Sequence, residues 1–132
     1  MKIAFATEDL HRVDAHFGRA KNFAVYQISP AGFNLQEAIQ FEDSPSEDGN
    51  EDPLAQRIEA IRDCAILYVA AIGGSAAARV VACKIHPIKV NEPEAILDIL
   101  GKLQRVLQGS PPPWLRKAMN KGVVTASNFD DE

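Results

Sequence analysis

The stretch Ala65-Ile66-Leu67-Tyr68-Val69-Ala70-Ala71, followed by Ile72-Gly73-Gly74-Ser75, decides the fold. A continuous apolar run of this length has no polar face to turn to water, so it reads as a strand covered on both sides. Such strands belong to α/β layers, in which the chain leaves the strand through a helix lying on one face. The paired glycines mark that exit, with Ser75 as the expected cap of a helix over 76–84. Working outward, Lys2 to Thr7 (KIAFAT) is a second inner strand, and Phe23 to Ser29, Pro30-Ala31-Gly32 and Phe33 to Phe41 read as a hairpin. Asp52-Pro53 has the chemistry of a helix start, with Leu54, Ile58 and Ile61 on one face behind it. Ile85 to Val90 is a further strand. Asn91 with Glu94 resembles a capping box ahead of a helix that carries Ile96, Ile99, Leu100, Leu103, Val106 and Leu107 at three-and-four spacing and stops at Gly109 to Pro113. A short helix over 114–121 completes the list of elements. The order predicts one α/β domain over residues 1–121, a mixed sheet flanked by helices and joined by right-handed crossovers, with a loose tail over 122–132.

The chain has 132 residues and a formal net charge of -4, which at first sight excludes an anionic partner. That charge is unevenly spread. Residues 42–52 hold six carboxylates without a base, and the last three residues hold three more. The remainder carries 14 basic against 9 acidic residues, a body charge of +5. No basic stripe with interleaved aromatics accompanies the excess, so nucleic acid is not an expected partner. The body charge suits instead a small anion, and the acidic segment suits the steering of basic partner surfaces. No apolar run approaches the ~20 residues of a membrane span, and no signal sequence opens the chain, so no membrane and a cytoplasmic location are expected. The two cysteines, Cys64 and Cys83, are too few for the four-thiolate set of most iron-sulfur or structural zinc sites.

Enzyme signatures are missing. There is no G-x-G-x-x-G, no P-loop, no G-x-S-x-G elbow, and no carboxylate on the inner strands to hold magnesium. Residues 42–52 do not have calcium-loop spacing. The histidines say more. His11 and His16 lie in one irregular segment past the first strand, at the carboxyl end where open α/β sheets take ligands. Asp14 is a candidate to orient the His16 imidazole, and Phe17-Gly18 beside it supplies an apolar wall and a hinge. His86, next to Pro87, is read as structural. One imidazole does not make a closed metal site, but it can give a single bond to a preassembled cluster that brings its own inorganic ligands. Gly73 and Gly74 serve either as a sharp turn or as an anion seat at a helix start.

Ala4-Phe5-Ala6-Thr7, Val13-Asp14 and His16-Phe17-Gly18, spaced as they are, resemble the opening of the dinitrogenase iron-molybdenum cofactor family, which holds NifX, NafY and the C-terminal part of NifB. The likeness continues through Asp48-Gly49-Asn50-Glu51-Asp52, residues 63–76, Pro87 to Val90 and Trp114-Leu115, spanning about 1–118. NifX is the member most similar in build, since the chain has neither the C-x-x-x-C-x-x-C radical motif of NifB nor the extra N-terminal domain of NafY. The resemblance implies a ribonuclease-H-like fold. It implies a carrier without catalysis that transiently binds an iron-sulfur precursor of the nitrogenase iron-molybdenum cofactor and passes it between assembly proteins, NifB and the NifEN scaffold among them. It also implies His16 as the ligand to the cluster metal. Around it, Arg12, Arg19 and Lys21 are expected to offer favourable charge, and Gly73 and Gly74 close backbone approach. His11 is a secondary candidate, Cys64 is read as core, and Trp114-Leu115 with Arg116 and Lys117 either docks a partner or packs on the domain. The competing readings are an interaction module for nitrogenase assembly proteins that holds no cluster, and a small hydrolase built on His16 and Asp14.

Overall fold

Strand β1 (Lys2–Thr7) has no polar residue between its ends because it is sandwiched: Ile3 and Phe5 point into one layer, Ala4 and Ala6 into the other. The computed structural model, which describes residues 1–41 and 53–121, shows the same division in β5 (Ile66–Val69), where Ile66 and Tyr68 oppose Leu67 and Val69. These two strands pair in parallel, Ile3 beside Ile66 and Phe5 beside Tyr68. On the other side of β1, β3 (Asn22–Ser29) runs antiparallel, and β4 (Gly32–Gln40) returns along it with a register shift at Val25/Tyr26. Strand β6 (His86–Lys89) adds in parallel to β5. The order β4-β3-β1-β5-β6 is the expected mixed sheet, antiparallel through the hairpin and parallel beyond it. A separate two-residue pair joins β2 (Arg12–Val13) to β7 (Glu94–Ala95).

Helices cover both faces. On one, α1 (Pro53–Ala60) and α2 (Gly74–Ala82) bring Ile58, Ala76 and Val80 against Ala4, Phe23 and Leu67. On the other, α3 (Ile96–Gln108) and α4 (Pro113–Met119) bring Ile96, Ile99, Leu100, Leu103, Leu107, Leu115 and Ala118 against Ile3, Phe5 and Ile66. The Phe5 ring lies between Tyr68, stacked at 5.2 Å, and Tyr26, edge-on at 5.7 Å. Trp114 stacks on His86 at 4.4 Å while 37% exposed, so its ring anchors α4 to β6.

Four local expectations are corrected. Helix α2 begins at Gly74 with the extended Gly73 as its cap, because the chain enters the helix directly from the sheet; Ser75 lies inside the first turn and caps nothing. Glu94 is drawn into β7 by pairing with Val13, so α3 starts at Ile96 without a capping box, and the Glu94 carboxylate instead meets Lys102 at 3.1 Å. Val106 is 39% exposed, bordering a shallow cleft of about 230 Å³ with Tyr68, Ile99 and Leu103 that opens to solvent. The fourth concerns Asp14 and belongs to the site below. The Asp52 cap, the segment 42–52 and the tail from Gly122 lie outside the described residues.

The amino ends of β5 and β6 are closed by Lys121, whose Nζ donates to the carbonyls of Arg62, Cys64 and Cys83 at 3.1, 2.8 and 2.8 Å. Burial pushes this ammonium's pKa down, and the three acceptors use all of its donors. Lys121→Met should lower stability by about 1–2 kcal/mol, the usual net worth of such bonds, read as a lower urea midpoint at unchanged slope. Burial also pushes the Cys64 thiol up to about 12. At pH 8 Cys64 should resist thiol reagents in the folded protein and react on unfolding; fast labelling of Cys64 under native conditions would contradict its core position.

Candidate functional site

Leaving β1 at Thr7, the chain must cross the carboxyl edge of the sheet before entering β3, and segment 8–21 does so by bonding to everything it passes. Leu10, held at φ 68°, donates its N–H to the buried Thr7 Oγ1 at 2.9 Å. Asp9 Oδ1 accepts the N–H groups of His11 and Arg12, each at 2.9 Å, in an Asx-type turn. Those two bonds, helped by the Thr7 hydroxyl and the Arg12 guanidinium, hold the Asp9 carboxyl at about 2. Next, β2 pairs with β7, and Ile96 N–H reaches the His11 carbonyl at 2.9 Å. Asp14 Oδ1 accepts the Glu8 N–H at 2.8 Å. It therefore closes the loop on itself, and the expected role of orienting His16 is corrected: its described hydrogen bond belongs to the backbone.

Past Asp14 the chain changes layers. Val13 packs with α3, whereas Ala15, Phe17 and Ala20 pack with α1 and α2. Residues 15–17 lie along the end of β5, with Ala70 N–H donating to the Ala15 carbonyl at 2.9 Å and Phe17 N–H to the Ala71 carbonyl at 2.8 Å. Since Ala15 and Phe17 are buried, alternation turns His16 outward, and it is exposed. His16 bridges Ala71, two residues before Gly73 and the start of α2. A Cβ built on Gly73 or Gly74 would meet nothing within 4 Å, and Gly73 sits at φ -73°, open to any residue. The turn itself therefore does not demand glycine there. What the bare glycines leave is an unobstructed approach to the first N–H groups of α2, which have no partner inside the helix and sit at its positive end.

The structure thus brings His16, Gly73 and Gly74 to one edge, with Arg19 exposed in the 3-10 turn Phe17–Arg19 just beyond. It does not bring all the candidates together. Arg12 and His11 lie toward the α3 side, Arg12 with its Nε 3.4 Å from Asp9. Lys21 is exposed and uses its carbonyl to accept the Phe41 N–H at 2.8 Å. Cys64 lies buried at the amino end of β5, on the order of 20 Å along the strand from the His16 end. Among the described residues, no three of His, Cys, Asp and Glu gather into a metal cage. One important residue went unnoticed in the sequence: Arg57, only 5% exposed, donates from Nη2 to the Ala20 carbonyl at 2.7 Å. Its signal was present, since Arg57 falls in the three-and-four stripe of Leu54, Ile58 and Ile61 where a solvated arginine does not belong.

The Asp9 turn has a definite pH signature. A carboxyl held below its unfolded value supports the fold above pH ~4 and loses that contribution as pH falls through the folded value. Carbon NMR should give Asp9 a midpoint near 2, and the His11 and Arg12 amide shifts should follow the same titration. Asp9→Ala should release both amides to fast exchange already at pH 7.

Comparison with known proteins identifies the family. Residues 1–106 match the family described as dinitrogenase iron-molybdenum cofactor. NifX of Herbaspirillum seropedicae is 61% identical over 132 residues, covering 100% of this chain and 90% of that protein. NifX of Sinorhizobium fredii is 46% identical, covering 100% of this chain and 86% of its own. The solved structure of PH0822 superposes with a TM-score of 0.61 at 20% identity, over 86% of this chain and 99% of that one, which shows the fold. No helix among the described residues is long and apolar enough to cross a membrane. The chain belongs to the dinitrogenase iron-molybdenum cofactor family.

Proposed function

We propose that this protein carries an iron-sulfur precursor of the nitrogenase iron-molybdenum cofactor between assembly proteins, NifB and the NifEN scaffold, without turnover of its own. The observation that carries this reading is the exposed His16 imidazole, bridged through its backbone to Ala71 beside the bare start of α2. A preassembled cluster supplies its own sulfides and needs few bonds from the protein. His16 gives one bond to a cluster metal. The open N–H groups at Gly74 and Ser75 and the cation of Arg19 face the negative charge of the sulfide surface. Arg12, tied to Asp9, contributes its charge from the far side of the loop.

A carrier must also release its cargo. Four thiolates would bind tightly and let go slowly, whereas one imidazole is readily exchanged for a ligand on the acceptor. The fixed backbone matters here because a preorganised ligand binds without first being ordered.

Anaerobic titration with isolated cluster precursor should give a coloured complex of one cluster per chain. His16→Ala should weaken it by about tenfold or more, the loss of roughly one coordinate bond's worth of affinity being at least 1.4 kcal/mol. Binding should also weaken with added salt, since the cargo is held partly by charge. Protein that stays colourless at micromolar concentration yet binds the assembly proteins would replace this reading with the interaction module.

A further inference from the structure

Arg57 is a cation that the fold keeps inside an apolar layer. An ionised side chain taken out of water is costly unless its partners repay it, and an aliphatic residue of similar volume would fill the same space more cheaply. Two of its contacts bear on the turn after His16. Nη2 donates 2.7 Å to the Ala20 carbonyl, the residue that ends the 3-10 turn after His16. The guanidinium carbon sits 4.5 Å from the Phe41 ring centre. Phe41 meets Phe23 edge-on at 5.2 Å, and Phe23 stacks with Phe17 at 5.5 Å. Phe17 is the neighbour of His16 and donates its N–H to Ala71. The contacts run from Arg57 through three rings to Phe17 and directly to Ala20, so they grip both ends of the turn that follows His16. One turn earlier in the same helix, Leu54 Cδ2 stands 3.3 Å from where a Cβ on Gly18 would be, so α1 closes tightly against the turn and a side chain there would have to displace the Leu54 methyl by a few tenths of an ångström.

We infer that Arg57 is a positioning residue for His16: it clamps the 16–20 turn onto α1 and thereby holds the imidazole at the carboxyl edge of the sheet. The consequence for cargo rests on the carrier reading above; the clamp itself does not. Without the guanidinium, the Ala20 carbonyl loses its buried donor, and the turn opens locally while the two layers stay packed.

Two measurements separate these levels. Hydrogen exchange of the cargo-free protein should show the Phe17 and Arg19 amides exchanging about ten- to hundredfold faster in Arg57→Met, with β1 and β5 amides unchanged. Arg57→Lys, which keeps a donor but not the flat stack, should fall between. Phe41→Leu, which keeps the donor and removes the ring beneath it, should loosen the same amides and serves if Arg57→Met fails to fold. In the second measurement the cluster precursor is loaded anaerobically and released to a chelator, and Arg57→Met should release it about tenfold faster than wild type. Turn amides as protected as wild type in Arg57→Met, or in Phe41→Leu should the first variant not fold, would overturn the inference. Loosening of the amides in a protein whose wild type binds no cluster would keep the clamp and overturn the carrier.

Discussion

The parallel pairing of β1 with β5, buried on both faces, is the constraint from which the rest follows. A strand with Ile3 and Phe5 on one side and Ala4 and Ala6 on the other has no position for a charged group. The same holds for Ile66 to Val69. All polar chemistry is therefore displaced to the ends of these strands. The two ends are used differently. At the amino end Lys121 ties three carbonyls together and closes the layer. At the carboxyl end the chain is left with the long segment 8–21 and the turn into α2, and the candidate ligand stands where these meet.

A long connection over a sheet edge is ordinarily mobile, because its backbone groups bond to water and order costs about 1–2 kcal/mol per residue. Here the cost is offset point by point. Asp9 gathers two N–H groups, Asp14 one, β7 pairs with β2, and Ala70 and Ala71 just past β5 take Ala15 and Phe17. Asp9 and Asp14 both accept backbone N–H groups of this segment, so they hold its shape rather than the imidazole. Arg19 in the following turn is exposed.

Much of this was legible in the sequence, and what was not has a common cause. The inner strands, the hairpin and the apolar stripe of α3 are local patterns whose period survives in any context, and they match to within a residue or two at their ends. The capping box failed because Glu94 found a partner in Val13, far away along the chain, and strand pairing outweighed a single side-chain cap. Asp14 stands two residues from the imidazole, but its Oδ1 takes the Glu8 N–H at 2.8 Å, which the closure of the loop brings beside it from six residues back. His16 was readable as a residue of interest from its motif. That it is outward facing depends on the bridge to Ala71, a contact that spacing alone does not reveal.

A resident metal cofactor and a metal-bearing cargo ask opposite things of a protein. A resident group is best held by several converging ligands, each with its own orienting partner. At this edge the orienting bonds are made to the backbone of the His16 segment instead: Ala15 and Phe17 are fastened to Ala70 and Ala71 just past β5, Ala20 to Arg57, and Gly18 lies against Leu54. The stiffness is in the platform and the site above it stays open. Such a division keeps the entropic cost of presenting a ligand low without adding bonds that must later be broken. On the carrier reading proposed above, affinity is set by one exchangeable imidazole, and specificity by what fits between that imidazole and the exposed start of α2.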